Sequence, residues 1–361
     1  MRHVSAPDQA RWGGRVRRPG RHAAGAASAA AAAAGLILVT GCSVPGFSSS
    51  AGGGPTASGT ITVEAAPGVP DAPLYIGLRD GLFSKAGLTV HVVSTPSVPT
   101  AVAALRNGTA DIAFGDYANM FYAQEQSPAP HLLALADGYD AGPNVVEVLT
   151  LPGSTIDKAR KLEYKVIGTA SAQAIPTHNA KNQPQPYGID TVATWSVLDS
   201  DNVRVARTIT WDPMPADKLI GALQNGQVDA ILATEPTIYS AESQLGAVPV
   251  VDACTGATSN LPLDGYFTTN SYATKNPQVV AAFRSALAKA QAQAAMSAPL
   301  QTALTKSEGL KAQAAAMVTL GTYPTTTSAL NLQRVVGLMF NFGSLSKQFN
   351  VKAIMVKPNG S

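Results

Sequence analysis

Short β-branched runs alternate with helical stretches along most of this chain, and one helix–turn–strand unit occurs twice. Together these predict an α/β protein built from two similar lobes. Composition agrees. Of 361 residues, 45% are apolar and 14% charged, enough to bury a sizeable core, and 32 Gly with 25 Pro imply many short elements joined by turns.

Residues 60–64 alternate and are β-branched, so they read as the first strand. Residues 71–88 read as a helix, with Leu74, Leu78 and Leu82 at helical spacing, ending in a Gly-containing turn. A second strand covers 89–93. Residues 99–107 form a short helix, with Pro99 near its start and Gly108 just beyond its end. The next strand is 111–114. In the last third, 264–269 reads as a strand, 277–296, 308–320 and 328–342 as helices, and 351–356 as a short final strand.

The repeated unit sets the organisation. Ala104-Leu105-Arg106-Asn107-Gly108-Thr109-Ala110-Asp111-Ile112 matches Ala222-Leu223-Gln224-Asn225-Gly226-Gln227-Val228-Asp229-Ala230, 118 residues later. Each copy is a helix end, an Asn-Gly cap, then Asp leading into a buried strand. A helix start follows both: Asp116 suits an N-cap, and Pro236 suits a first turn. Two copies so far apart indicate two lobes; a solenoid needs more repeats at a shorter period. The expected boundaries are lobe 1 over 60–160, lobe 2 over 165–255, and a return to lobe 1 with C-terminal helices over 256–361.

The N-terminus reads as an export signal. Residues 1–22 are Arg-rich, 23–40 carry no charge, and Val39-Thr40-Gly41-Cys42 follows. The last four residues resemble a bacterial lipobox, in which the cysteine thiol is acylated before cleavage. That makes 1–41 a lipoprotein signal peptide, Cys42 the lipidation site, and the Ser/Gly/Pro-rich 42–59 a flexible tether. A retained membrane helix is the alternative for the uncharged stretch, but alanine dominates it and is only weakly hydrophobic. Arg17-Arg18 hints at twin-arginine export, which Pro19-Gly20 does not continue. The expected location is the outer face of the bacterial cytoplasmic membrane.

Charge and motif content exclude several functions. Residues 1–41 hold six Arg and one Asp; beyond them 20 basic residues face 22 acidic ones, a net of −2. Nucleic-acid binding therefore lacks its electrostatic footprint. Beyond Cys42 the one cysteine is Cys254, read as a small half-buried hydrophobe that cannot form an internal disulfide. His91, His131 and His178 have no zinc-ligand spacing. There is neither a Gly-x-Ser-x-Gly elbow nor a phosphate-binding P-loop. The expectation is a monomer that is not an enzyme and needs no cofactor or metal.

Ala72-Pro73-Leu74-Tyr75-Ile76, Gly81-Leu82-Phe83 and Ala86-Gly87-Leu88-Thr89-Val90 resemble the opening of the SsuA/NMT1-like periplasmic solute-binding proteins. The paired Asn-Gly units, Glu235-Pro236 and the block ending in Gly343 fit as well, so the resemblance covers about 60–356. It implies a type II periplasmic-binding-protein fold, with a ligand cleft between two α/β lobes joined by two crossovers. It implies a small-molecule ligand, drawn in this family from nitrate, alkanesulfonates, taurine and thiamine-precursor pyrimidines. It also implies an ABC permease with its ATPase as partner. A sensory lipoprotein with the same cleft, and a structural envelope lipoprotein without one, stay open.

In such sheets ligands meet the strand ends and the helix N-termini beyond them. Asp71 follows the first strand, and helix capping is its alternative role. Ser94, with Thr95 and Ser97, follows the second strand and could equally be a turn. Asp116 and Tyr117 follow 111–114, and Asp137 and Tyr139 follow 132–136. In lobe 2, Thr169 and Ser171 follow 166–168, Trp211 follows Ile209, and Glu235 follows Leu232. Trp195 could be packed or exposed. The strand-end set is acidic and aromatic and contains no Arg or Lys. It suits a neutral or cationic nitrogenous ring, such as a thiamine-precursor-like pyrimidine, better than an anion. An alkanesulfonate, taurine or nitrate remains the alternative. The polar, Pro-rich 174–187 reads as an insertion, either a lid over the cleft or a surface loop.

Overall fold

A computed structural model describes residues 58–95, 97–126, 131–170, 178, 185–307 and 309–357. All fall in one unit, Gly53–Ser361. The expected signal peptide, Cys42, most of the expected tether, Ser171 and most of 174–187 lie outside the described residues.

The alternating run at the start becomes β1 (Gly59–Ala65), with Ile61, Val63 and Ala65 fully buried. The stretch read as one helix over 71–88 is two, Ala72–Arg79 and Leu82–Lys85. Gly81 separates them at φ 65, a left-handed conformation that ends the first helix at little steric cost. Then come β2 (Leu88–Ser94), helix Val98–Asn107, β3 (Ile112–Asp116), helix Tyr117–Gln126 and β4 (Leu132–Asp140). After residues 141–145 the chain runs through β5 (Val146–Thr150), β6 (Val166–Ala170), helix Ile189–Ser200, β7 (Thr210–Met214), helix Leu219–Gln224, β8 (Ala230–Thr234), helix Thr237–Leu245 and β9 (Val248–Asp252). Last among the strands is β10 (Pro262–Thr269).

These strands form two sheets of five, in the orders β2-β1-β3-β10-β4 and β7-β6-β8-β5-β9. The two orders are equivalent. In each, three parallel strands are followed by an antiparallel one that arrives from elsewhere in the chain. The described chain crosses between sheets twice, over 141–145 and 253–261. The first crossing falls before the boundary expected near 160, because β5 pairs with β8 and β9 and so belongs to lobe 2. The stretch 152–164 after β5 stays within that lobe and carries a 3₁₀ turn, Ala159–Leu162, with Ile156, Ala159 and Leu162 buried.

Helix Pro277–Ala294 packs on lobe 1, where Phe283 stacks on Phe83 at 5.2 Å. Fully burying such a ring contributes about 1.5–3 kcal/mol. Helix Ala329–Asn341, capped by Ser328, contacts helices of both lobes and so does not simply return to lobe 1. Trp195 is buried and meets Phe342 edge-on at 6.1 Å. The expected helix at 308–320 is shorter, Ala312–Met317, and the expected strand at 351–356 is a 3₁₀ turn, Val351–Ile354, with one bridge from Met355 to Ala134.

Candidate functional site

A cavity of about 280 Å³ lies between the two sheets. Its lobe 1 wall is one row of strand ends. Asp264 on β10 stands opposite Asp116 on β3 and opposite Tyr139 on β4. All three line the cavity, with Phe114, Asn119, Thr95 and Ser97 beside them. Lobe 2 contributes Ala170 at the end of β6, Thr234 and Glu235 at the end of β8, and Gly188, Ile189 and Asp190 where helix Ile189–Ser200 begins. Val145 of the first crossover closes the back.

Four carboxyl groups therefore share the cleft, and no Lys or Arg is among its described lining residues. Asp116 caps its helix, accepting from the Asn119 backbone N–H at 2.9 Å and the Asn119 amide at 2.7 Å. Burial raises its pKa, and these donors, with the Ile189 N–H from lobe 2, partly offset the rise. Glu235 accepts from the Thr319 N–H at 2.8 Å and the Tyr239 N–H at 3.1 Å; burial still raises it. Among the described residues Asp190 and Asp264 have no such donors. Burial, then the charge of Asp116, pushes Asp190 up to about 7. Burial, then Asp116, Asp190 and Asp137, pushes Asp264 well above the usual carboxylate range. Like charges facing each other in a poorly solvated space favour protonation or a bound cation. Among the described residues no group of His, Cys, Asp or Glu has the arrangement to hold a metal ion.

Of the residues singled out from sequence, the structure brings Thr95, Ser97, Asp116, Tyr139 and Glu235 together at this cleft. Tyr139 is 2% exposed, and its hydroxyl oxygen accepts the Gly321 N–H at 2.6 Å, so it presents the cleft with little more than a ring edge. The other described candidates lie elsewhere. Tyr117 is fully buried and donates to Asp137 at 2.9 Å. Its ring fills the space over Gly265, where a Cβ would overlap it. The reason is local. Tyr117 is the first residue of its helix, and its helical phase points it into the sheet. Asp137 is buried beneath it. Asp71 is buried and accepts the Gly68 N–H at 2.9 Å, which is turn closure. Ser94 is exposed at the end of β2, Thr169 is buried, and Trp211 lies half-buried on edge strand β7; none lines the cleft.

Asp190 and Asp264 were missed. An acid in the first turn of a helix is a detectable signal for Asp190. Nothing local marks Asp264, which reaches the cleft through the antiparallel register of β10. At the end of the insertion, Gln185 and Tyr187 are buried, and the Ser344 hydroxyl donates to the Pro186 carbonyl at 2.6 Å, so this end is neither lid nor surface loop.

Two α/β sheets of matching order, joined by two crossovers around a cleft, define a periplasmic-binding-protein fold. The model of the NMT1-like family matches residues 58–305, and the chain belongs to that family. Solved structures agree on the fold. The aliphatic sulphonate binding protein SsuA of Escherichia coli aligns with a TM-score of 0.66 at 17% identity, over 83% of this chain and 92% of that one. The nitrate-binding protein NrtA of Synechocystis aligns at 0.64 and 13%, over 82% and 85%. The desulfurization enzyme DSZB aligns at 0.60 and 15%, over 82% and 96%, so the fold by itself does not separate binding from catalysis. No curated protein matches the sequence. Among the described residues no helix is long and apolar enough to cross a membrane.

Proposed function

We propose that this chain is the extracytoplasmic substrate-binding component of an ABC importer and not an enzyme. A lipid on Cys42 holds it at the outer face of the cytoplasmic membrane, and it passes a small nitrogenous molecule, a thiamine-precursor-like pyrimidine or similar aromatic, to a permease. The carrying observation is the cleft: Asp116, Asp190, Glu235 and Asp264 converge there without a lining Lys or Arg. A protonated ring nitrogen or amino group would supply the missing positive charge and hydrogen-bond donors, with Phe114 and Tyr139 as apolar walls. Because Asp116 and Asp264 belong to lobe 1 and Asp190 and Glu235 to lobe 2, one cation touching all four binds the closed form better than the open one. That difference in affinity drives closure.

An alkanesulfonate, taurine or nitrate is the competing reading, favoured by the ligands named for SsuA and NrtA. Such an anion would sit against four carboxyl groups unless all of them carried protons. A sensory lipoprotein would use the same cleft with a receptor in place of the permease.

Isothermal titration of the full chain with aminopyrimidines, taurine, alkanesulfonates and nitrate separates these readings. Saturable binding of an aminopyrimidine that weakens in Asp190→Asn supports the cationic assignment. Binding of taurine or a sulfonate with indifference to aminopyrimidines sinks it and restores the anion reading.

A further inference from the structure

We propose that lobe 1 carries a second binding site, for a small tetrahedral oxyanion, centred on Arg284. A cavity of about 330 Å³ opens between helix Pro277–Ala294 and the segment 324–327, and it shares no lining residue with the cleft. Arg284 lines it, half-buried, and makes no hydrogen bond or ion pair among the described residues. Other arginines of the fold are engaged: Arg79 pairs with Asp80 at 2.7 Å, and Arg334 donates to the carbonyls of Ala257 and Ser259. A guanidinium half-removed from water with nothing to bond is costly, and burial lowers its pKa accordingly.

The rest of the wall supplies donors. Ser285, Thr325 and Thr326 line the same cavity, exposed to solvent, and among the described residues their hydroxyls have no intramolecular partner. Thr327 accepts the Asp137 N–H at 3.0 Å through its oxygen, which leaves its own hydroxyl hydrogen to give. The one carboxyl group in the wall, Asp137, is held well above the usual range by burial, then by the charge of Asp140, and it accepts from Tyr117. No ion pair links it to Arg284 among the described residues. A planar fork of five N–H donors in a cavity whose wall also carries Ser and Thr residues suits phosphate or sulfate, whose oxygens each accept in different directions.

The shared chemistry is the oxyanion, and its source can be free phosphate or a phosphatidate headgroup. Equilibrium dialysis of the full chain against radiolabelled inorganic phosphate tests the first. The expected result is one phosphate per chain, at least tenfold weaker in Arg284→Gln and only partly weakened in Arg284→Lys. Melted without phosphate, Arg284→Gln should be as stable as the parent or more so, because it removes an uncompensated charge; a merely structural arginine would show a loss. Flotation on vesicles with phosphatidic acid, compared with phosphatidylcholine alone, tests the second source; an Arg284-dependent excess in place of free phosphate binding assigns the headgroup. Phosphate binding that survives Arg284→Gln, or no Arg284-dependent binding in either assay, overturns the proposal. Should Arg284→Gln fail to fold, undiminished binding by Arg284→Lys does the same, since a compact ammonium cannot reproduce the fork.

Discussion

The repeated unit appears once in each lobe, and the two copies agree in their structural parts and differ in their chemical ones. Gly108 and Gly226 both end a helix in the left-handed region, at φ 78 and 65. Asp111 accepts the Thr62 N–H of β1 at 2.8 Å, and Asp229 accepts the Val166 N–H of β6 at 2.9 Å. The carbonyls of these aspartates accept from Thr268 on β10 and Thr150 on β5. Each Asp thus ties the central strand to its neighbours on both sides, by the same device in both lobes. At the other end of the strand the copies diverge. Asp116 caps a helix whose first residue, Tyr117, plunges into the core, whereas Glu235 precedes exposed Pro236 and reaches Thr319 of the C-terminal segment. Strand ends facing the core repeat because pairing demands it; those facing the cleft are free to differ.

The largest expected effect comes from the divergent end of lobe 1. Gly265→Ala places a methyl group inside the Tyr117 ring and should cost about 3 kcal/mol in chemical denaturation. A loss below about 1 kcal/mol would mean that Tyr117 is not locked there.

Tyr117→Phe removes the hydroxyl donated to buried Asp137 and should cost about 1–3 kcal/mol without a change in ligand affinity. Weakened binding in an otherwise intact variant would return Tyr117 to the cleft.

The cleft carboxyls give the third effect. Asp190 rises from an ordinary 3.8 to about 7, so the folded state holds its proton where the unfolded chain has lost it. Its contribution to stability is complete below pH about 4 and disappears as pH rises to about 7. The ligand-free melting temperature should fall across that window, and Asp190→Asn should flatten the fall. Affinity for a cation should move the opposite way, rising with pH as protons leave Asp116, Asp190, Glu235 and Asp264. Parallel pH dependences of melting and binding would contradict the cationic reading.

The smallest effect tests the shared part. Asp111→Ala and Asp229→Ala each lose one strand-tying acceptor, about 1 kcal/mol apiece, measured as shifts in the denaturation midpoint. Asp229 also faces Lys165 at 3.2 Å, but that pair is about one-third exposed and should add only a few tenths of a kcal/mol. Unequal losses beyond that margin would break the equivalence of the lobes.

Much of the fold was legible in advance, because helix caps, strand alternation and the Asn-Gly-x-x-Asp unit are short-range patterns. Caps and β-branched runs act over a turn or a few residues, so residues 98–116 and 219–235 carry their own instructions. Asp116 and Glu235 could be placed at the cleft for the same reason, each being the residue where a buried strand stops. Tyr117 misled because the residue after a strand end can turn either way, and helical phase sent it inward. The lobe boundary misled because β5 joins lobe 2 only through its pairing with β8 and β9, which lie far along the chain.

From the sequence alone came the two-lobed α/β plan, the acidic character of the strand ends and the export-signal reading of the N-terminus, all matters of composition and local period. Only the tertiary structure brought Asp264 opposite Asp116, set Asp190 across from both, and left Arg284 without a carboxylate. Each of these depends on pairing between segments tens to more than a hundred residues apart, and it is the register of packed strands, not any local preference, that decides which side chains meet.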